Sequence, residues 1–238
     1  MALMMPRFIS SAGSPPGELK VYNSLKDCSL AKDWIVLHSL DLANHTSQIS
    51  GEADFVIIIP ALGTLVLEVK SHKYIKYEHG NWWLGNNAQP ETRGPFKQAS
   101  NAMHSIRKYV ANYSTELGNT FFTSAVCFSD ANFSQKSPEW HNWQIIDKEL
   151  FERQEIGITV SNILKKALEF AESKNIRRRG PNPEASQQLA KILRPSAEAI
   201  PSAKAIRKEL DNELKECTEE QFLALDAMAD NPKNVFNG

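Results

Sequence analysis

Two unbroken apolar runs, Phe55-Val56-Ile57-Ile58-Ile59 and Leu65-Val66-Leu67, stand on either side of Pro60-Ala61-Leu62-Gly63. Short runs rich in β-branched residues and separated by turn formers predict two buried strands joined as a hairpin over 53–70. The same reasoning predicts strands at Trp34–Leu40, Phe121–Phe128 and Trp143–Ile146, and a second hairpin of Tyr74–Glu78 and Asn81–Leu84 about His79-Gly80. Helical spacing marks other stretches. Leu19, Tyr22, Leu25 and Leu30 predict a helix that Ser14 caps, that carries Pro15 and Pro16 in its first turn, and that runs to Ala31. Phe96, Ala99, Met103, Ile106 and Val110 form the apolar stripe of a helix over Phe96–Tyr113. Asp147 caps a short helix, and Val160–Ser173 is a further one.

Strands interleaved with helices imply an α/β core with a mixed central sheet flanked by helices. The pattern weakens after residue 176, where Arg177-Arg178-Arg179-Gly180-Pro181-Asn182-Pro183 reads as a linker and an Ala-, Lys- and Glu-rich segment follows. The expected organisation is a flexible leader over 1–13, a core domain over 14–176, a linker with helical extension over 177–216, and a further segment over 217–238.

Polar residues intrude into the first hairpin at three places. Asp54 opens one strand, and Glu68 and Lys70 close the other. Charge inside β-branched strands is costly unless paired or holding a metal. Strand alternation puts Glu68 and Lys70 on one face and turns Val69 to the core. If Ile59 pairs with Gly63, Asp54 lies opposite Glu68 with Cβ atoms about 5 Å apart. Two carboxylates that close favour a hard divalent cation such as Mg²⁺ or Mn²⁺ between them. Lys70 beside them suits charge neutralisation on a phosphate. Alternation alone fits solvated charges at the ends of an edge hairpin equally well.

Four segments carry a resemblance. Gly51-Glu52-Ala53-Asp54-Phe55-Val56, Gly63 with Leu65-Val66-Leu67-Glu68-Val69-Lys70, Gly80-Asn81-Trp82-Trp83, and Pro95-Phe96 with Gln98-Ala99 resemble, in order and spacing, the nuclease-related domain, NERD. That family is similar to the PD-(D/E)XK restriction-endonuclease-like superfamily. Gly17-Glu18 matches the Gly-Glu that opens the family's first helix, and Ser71-His72 departs from it where glycine is common. The resemblance implies a restriction-endonuclease-like fold and metal-dependent hydrolysis of DNA. It implies that Asp54, Glu68 and the Val69 carbonyl hold the metal, with Glu18 as a further acidic ligand. It implies catalytic roles for Lys70 and Gln98. A noncatalytic nucleic-acid- or partner-binding module on the same fold is the alternative.

Lys97, Asn101, His104 and Lys108 follow helical spacing beside Gln98 and form a polar stripe that could track phosphates. Trp82 and Trp83 could stack on bases, though adjacent strand positions leave only one of them available. The end of the chain, with Gln221 and then Asn234-Val235-Phe236-Asn237-Gly238, resembles the opening segment of a superfamily 1 helicase. That resemblance implies an adenine-reading role for Gln221, a helicase domain in cis, and ATP as a cofactor only of a longer parent protein.

Composition adds exclusions. A net charge of −1 requires any nucleic-acid contact to use a local patch. Three widely spaced cysteines form no CxxC pair, which argues for reduced thiols and a cytoplasmic setting. No run approaches the roughly 20 apolar residues of a membrane span.

Overall fold

The computed structural model describes residues 1–10, 13–42, 51–196 and 203–229. They divide into two units, Met1–Pro195 and Ser196–Gly238. The first is built on a six-stranded mixed sheet of β1 (Leu3–Met5), β2 (Ile35–Leu42), β3 (Gly51–Ile59), β4 (Gly63–Lys70), β7 (Phe122–Phe128) and β8 (Ile145–Ile146), in that spatial order. Antiparallel pairs join β2 to β3 and β3 to β4, and the remaining pairs are parallel. A separate two-stranded ribbon contains β5 (Ile75–Glu78) and β6 (Asn81–Leu84).

Both faces of the sheet are covered, which explains why β3 and β4 read as continuous apolar runs rather than alternating ones. On one face, α1 (Pro16–Asp27) and α5 (Ile156–Ser173) pack Val21, Leu25, Val160 and Leu164 against Phe55, Ile57, Leu65 and Leu67. On the other, α2 (Pro95–Tyr113) and α6 (Pro183–Leu193) pack Ile106, Val110, Leu189 and Leu193 against Leu37, Val56, Ile58 and Val66. A third cluster joins the ribbon to α2 and β7 through Trp82, Phe96, Phe128, Phe133 and Trp140. Short helices α3 (Thr115–Gly118) and α4 (Lys148–Arg153) complete the unit. Asp147 caps α4 as expected, accepting from Leu150 N at 2.9 Å. This is an α/β mixed sheet flanked by helices, the restriction-endonuclease-like arrangement that the sequence implies.

Several boundaries differ from the sequence reading. Residues 3–5 of the expected leader form β1, with Met4 buried against the core. Pro15, not Ser14, occupies the cap position of α1, and no side chain caps it. Met103 is only half-buried, and Ala102 takes its place in the core. The expected linker at 177–183 is docked. Arg179 O accepts from Phe121 N at 2.9 Å and Pro181 O from Ala61 N at 2.7 Å. Gly180 lies so close to the turn between β3 and β4 that a Cβ there would come within 2.3 Å of Leu62 N. Its arginines, proline and glycine mimic a linker in composition, but its backbone hydrogen bonds tie it to the core. The first unit accordingly continues through α6.

Arg194 fastens this last segment to the sheet. Its Nη1 donates to Met5 O at 2.9 Å, and its Nη2 donates to His38 O at 3.0 Å and Ser39 O at 2.7 Å. Ser39 adopts the left-handed region, φ 50°, which a non-glycine residue rarely takes. The β2–β3 ladder pairs His38 with Phe55 and Leu40 with Ala53, omitting Ser39 and Asp54 between them.

The second unit contains one described helix, α7 (Ala203–Ala229). Gln221 is exposed on it, with Phe222, Leu223 and Leu225 also exposed. The Asn234–Gly238 segment of the helicase resemblance lies outside the described residues. Among the described residues, no helix is long and apolar enough to cross a membrane.

Charge-assisted bonds to buried carbonyls are each worth about 1.5–3 kcal/mol, and deleting the donor strands its acceptors. Arg194→Ala should therefore destabilise the chain by about 2 kcal/mol or more, measured as a lowered urea midpoint at unchanged slope.

Candidate functional site

The expected hairpin register is present: Ile59 pairs with Gly63 and Phe55 with Leu67. The ladder ends there, one step short of Asp54 and Glu68. Instead, the Asp54 carboxylate leaves the ladder pattern and Oδ2 accepts the backbone N–H of Val69 at 2.7 Å. On its other side Asp54 has lost Ser39 as a partner. It thus sits in a local gap of both ladders, with its side chain replacing a strand hydrogen bond.

Glu68 is buried, and Lys70 Nζ donates to its Oε1 at 2.7 Å. Burial, followed by the charge of Glu68, raises the Asp54 pKa to about 8. Burial also raises Glu68, against the opposing pull of Lys70. Burial works against the Lys70 ammonium, but Glu68 and then Asp54 outweigh it and hold its pKa above the ordinary value. Half-buried Asp54 and buried Glu68 share one lysine, so burial and mutual repulsion oppose ionisation of both acids together.

Glu18 reaches the site from the first turn of α1. Its position depends on Gly17, where a Cβ would come within 2.5 Å of Ser129 Oγ and 2.6 Å of Ser71 Cβ. The absence of a side chain lets the helix start close against the end of β4. Ser71 is thus accommodated at this exit. Glu18 Oε2 is 2.9 Å from His38 Nε2, and its charge acts on both Asp54 and Glu68.

Glu68 and Gln98 line a cleft of about 450 Å³ together with Glu52, Glu91 and Arg93. Gln98 Nε2 donates to Arg93 O at 2.9 Å and to Glu91 Oε2 at 3.4 Å, so it braces the loop before α2. Trp82 anchors the same loop by exchanging backbone hydrogen bonds with Glu91 at 2.7 and 3.0 Å. Gly94 lies against the Trp82 indole, where a Cβ would clash. Trp82 is therefore a core residue, and half-buried Trp83 carries Lys76 over its ring at 5.1 Å.

The helical stripe is divided. Lys97, His104 and Lys108 are exposed and Asn101 is half-buried. His104 borders a different cleft, with Arg107 and Arg178, and burial followed by those two charges lowers its pKa. Sequence patterning missed His38, Glu91 and Arg93. They contact site residues separated from them by loops or by a strand, which periodicity does not register.

Among the described residues, no three His, Cys, Asp or Glu side chains are placed together to hold a metal ion. The donor set is instead two electrostatically coupled carboxylates with the backbone carbonyl of Val69, and Glu68 opens to the cleft. That composition suits Mg²⁺ or Mn²⁺, which bind through one or two carboxylates and retain several waters.

Residues 15–129, which contain Glu18, His38, Asp54, Glu68, Lys70 and Gln98, match the family model of the nuclease-related domain, NERD. The chain carries a nuclease-related domain over that span. No curated protein and no solved structure matches the chain.

The raised Asp54 pKa has a defined sign. Between the unfolded value near 4 and the folded value of about 8, the folded state holds more protons, so stability falls as pH rises. Asp54→Asn keeps an acceptor for Val69 N–H and removes the charge. In EDTA it should be more stable than the parent at pH 8 by several kcal/mol, at about 1.4 kcal/mol per pKa unit, with the gap closing toward pH 4. Denaturant titrations at the two pH values measure the difference.

Proposed function

We propose that this nuclease-related domain is a divalent-metal-dependent nuclease that hydrolyses DNA phosphodiester bonds. The observation that carries the reading is a pair of mutually destabilised carboxylates, half-buried Asp54 and buried Glu68, the latter paired with Lys70 and lining an open cleft. Asp54, Glu68 and the carbonyl of Val69 are the groups that would hold Mg²⁺ or Mn²⁺, with Glu18 contributing through water. The cation, when bound, supplies a lowered water pKa and polarisation of the scissile phosphate.

The remaining work falls to the chain itself. Lys70 stays protonated in the presence of Glu68 and offers a positive charge to the phosphate oxygens. Gln98 fixes the loop that presents Glu91 and Arg93 at the cleft. His38 restrains Glu18 so that it does not turn to solvent. Lys97, Asn101 and Lys108 extend from the cleft along α2 as phosphate contacts that set strand position rather than chemistry. Cys28 and Cys127 are free, buried thiols, in keeping with a reducing, cytoplasmic setting. On the resemblance of the C-terminal segment alone, we assign a helicase domain in cis as partner, with Gln221 as its adenine-reading glutamine.

Glu68→Gln and Lys70→Met should each lower Mn²⁺-dependent cleavage of labelled single- or double-stranded DNA by roughly 10³-fold, in chains that retain the parental circular dichroism. EDTA should abolish parental cleavage. Cleavage that persists in both variants would remove this site from the reaction.

A further inference from the structure

A second cleft opens on the opposite side of α2 from Gln98. Its volume is about 270 Å³, and it lies between α2, the start of β7 and the C-terminal end of α5. At this point the sheet edge is bare. Among the described residues β8 pairs only with Val126 and Cys127, which leaves Phe122–Ser124 without a strand beyond them. Gln144 reaches in from the side and donates to Ser124 O at 3.0 Å.

The lining has two distinct parts. One is cationic: His104, Arg107, Lys174 and Arg178 all face the cleft, and no Asp or Glu does. Among the described residues none of these four forms an ion pair with a carboxylate. Their charges act on one another. Burial and then Arg178 lower the Arg107 pKa, and burial followed by Arg107 and Arg178 lowers that of His104. Arg107 is held in place by its Nε, which donates to Gly118 O at 3.0 Å, leaving the rest of the guanidinium for a ligand. The other part is aromatic. His141 and Trp143 stack with ring centroids 5.0 Å apart and planes within 9°, and Phe170 packs on His141 at 4.3 Å. Phe170 remains 41% exposed, with Lys174 Nζ 5.7 Å from its ring centre.

An aromatic wall with an exposed ring favours a flat heterocycle. A set of cations without carboxylate partners favours a phosphate, for which arginine is suited by its fork of donors. The two parts meet in one cleft small enough for a single nucleotide unit. We propose that this cleft binds one 5′-phosphorylated nucleoside, its base against Phe170 and its phosphate among Arg107, Arg178 and Lys174. The nucleotide is either free or the phosphorylated end of a strand. The site is separate from Asp54 and Glu68 and does not depend on their proposed chemistry.

Titration calorimetry of the full chain in EDTA tests this with five probes: adenosine 5′-monophosphate, adenosine, inorganic phosphate, a 5′-phosphorylated oligothymidylate and its unphosphorylated form. The site predicts saturable binding of a phosphorylated probe, with adenosine and phosphate alone each weaker by about tenfold or more. Arg178→Ala and Phe170→Ala should each weaken binding by roughly tenfold, and Lys174→Glu more, while Asp54→Asn leaves it unchanged. Binding of the mononucleotide identifies a free nucleotide as the ligand. Binding of the phosphorylated oligonucleotide alone identifies a strand end. Failure of both to bind, equal binding of phosphorylated and unphosphorylated strands, or insensitivity to Arg178→Ala and Phe170→Ala would overturn the proposal. Because catalysis and metal are excluded, none of these outcomes bears on the nuclease reading.

Discussion

The hydrogen bond from Val69 N–H to the Asp54 carboxylate fixes the acidic cleft. It holds a side-chain oxygen at 2.7 Å where a strand ladder would place a backbone carbonyl. A carboxylate held this way cannot turn to solvent to escape Glu68. Glu68 is itself kept in place by Lys70 and by burial at the end of β4. The sheet thus holds two acids together away from water, and burial, followed by the charge of Glu68, raises the Asp54 pKa to about 8. Burial of an unbalanced charge is tolerated in folded proteins chiefly where a ligand or chemistry uses it.

Irregularities around this point serve the same end of the sheet. The β2–β3 ladder skips Ser39 and Asp54 because Ser39 turns into the left-handed region and gives its carbonyl to Arg194. Gly17 lets α1 approach so that Glu18 joins from the other face. Trp82, packed into its aromatic cluster, secures Glu91 through backbone bonds. Contributions from α1, β2, β3, β4, the ribbon and α2 therefore converge on one end of the sheet. Each is anchored in a core of aliphatic or aromatic residues rather than on a free loop, as a precise site requires.

The hairpin could be read from the chain because its information is local. Apolar runs of fixed length around Pro60–Gly63 determine both strand identity and register, and the register was found as expected. Glu68 and Lys70 were legible for the same reason, as charges out of place in a buried strand. The direct pairing of Asp54 with Glu68 was not, since the ladder stops at Phe55 and Leu67 and the carboxylate goes to Val69 instead. His38 lies 20 residues from the Glu18 it contacts, and Arg194 lies 155 from Ser39. Such contacts leave no periodic trace in either partner. The segment 177–183 misled for a different reason: linker-like composition describes a chain's freedom when unattached, and here Arg179 and Pro181 carbonyls attach it.

Titration of the full chain with Mn²⁺, followed by electron paramagnetic resonance, tests most directly whether the confined carboxylates serve a cation. The account predicts saturable Mn²⁺ binding that is lost in Asp54→Asn and in Glu68→Gln and is retained in Arg178→Ala. Mn²⁺ binding that is absent in the parent chain, or that survives undiminished in both acidic variants, would contradict it.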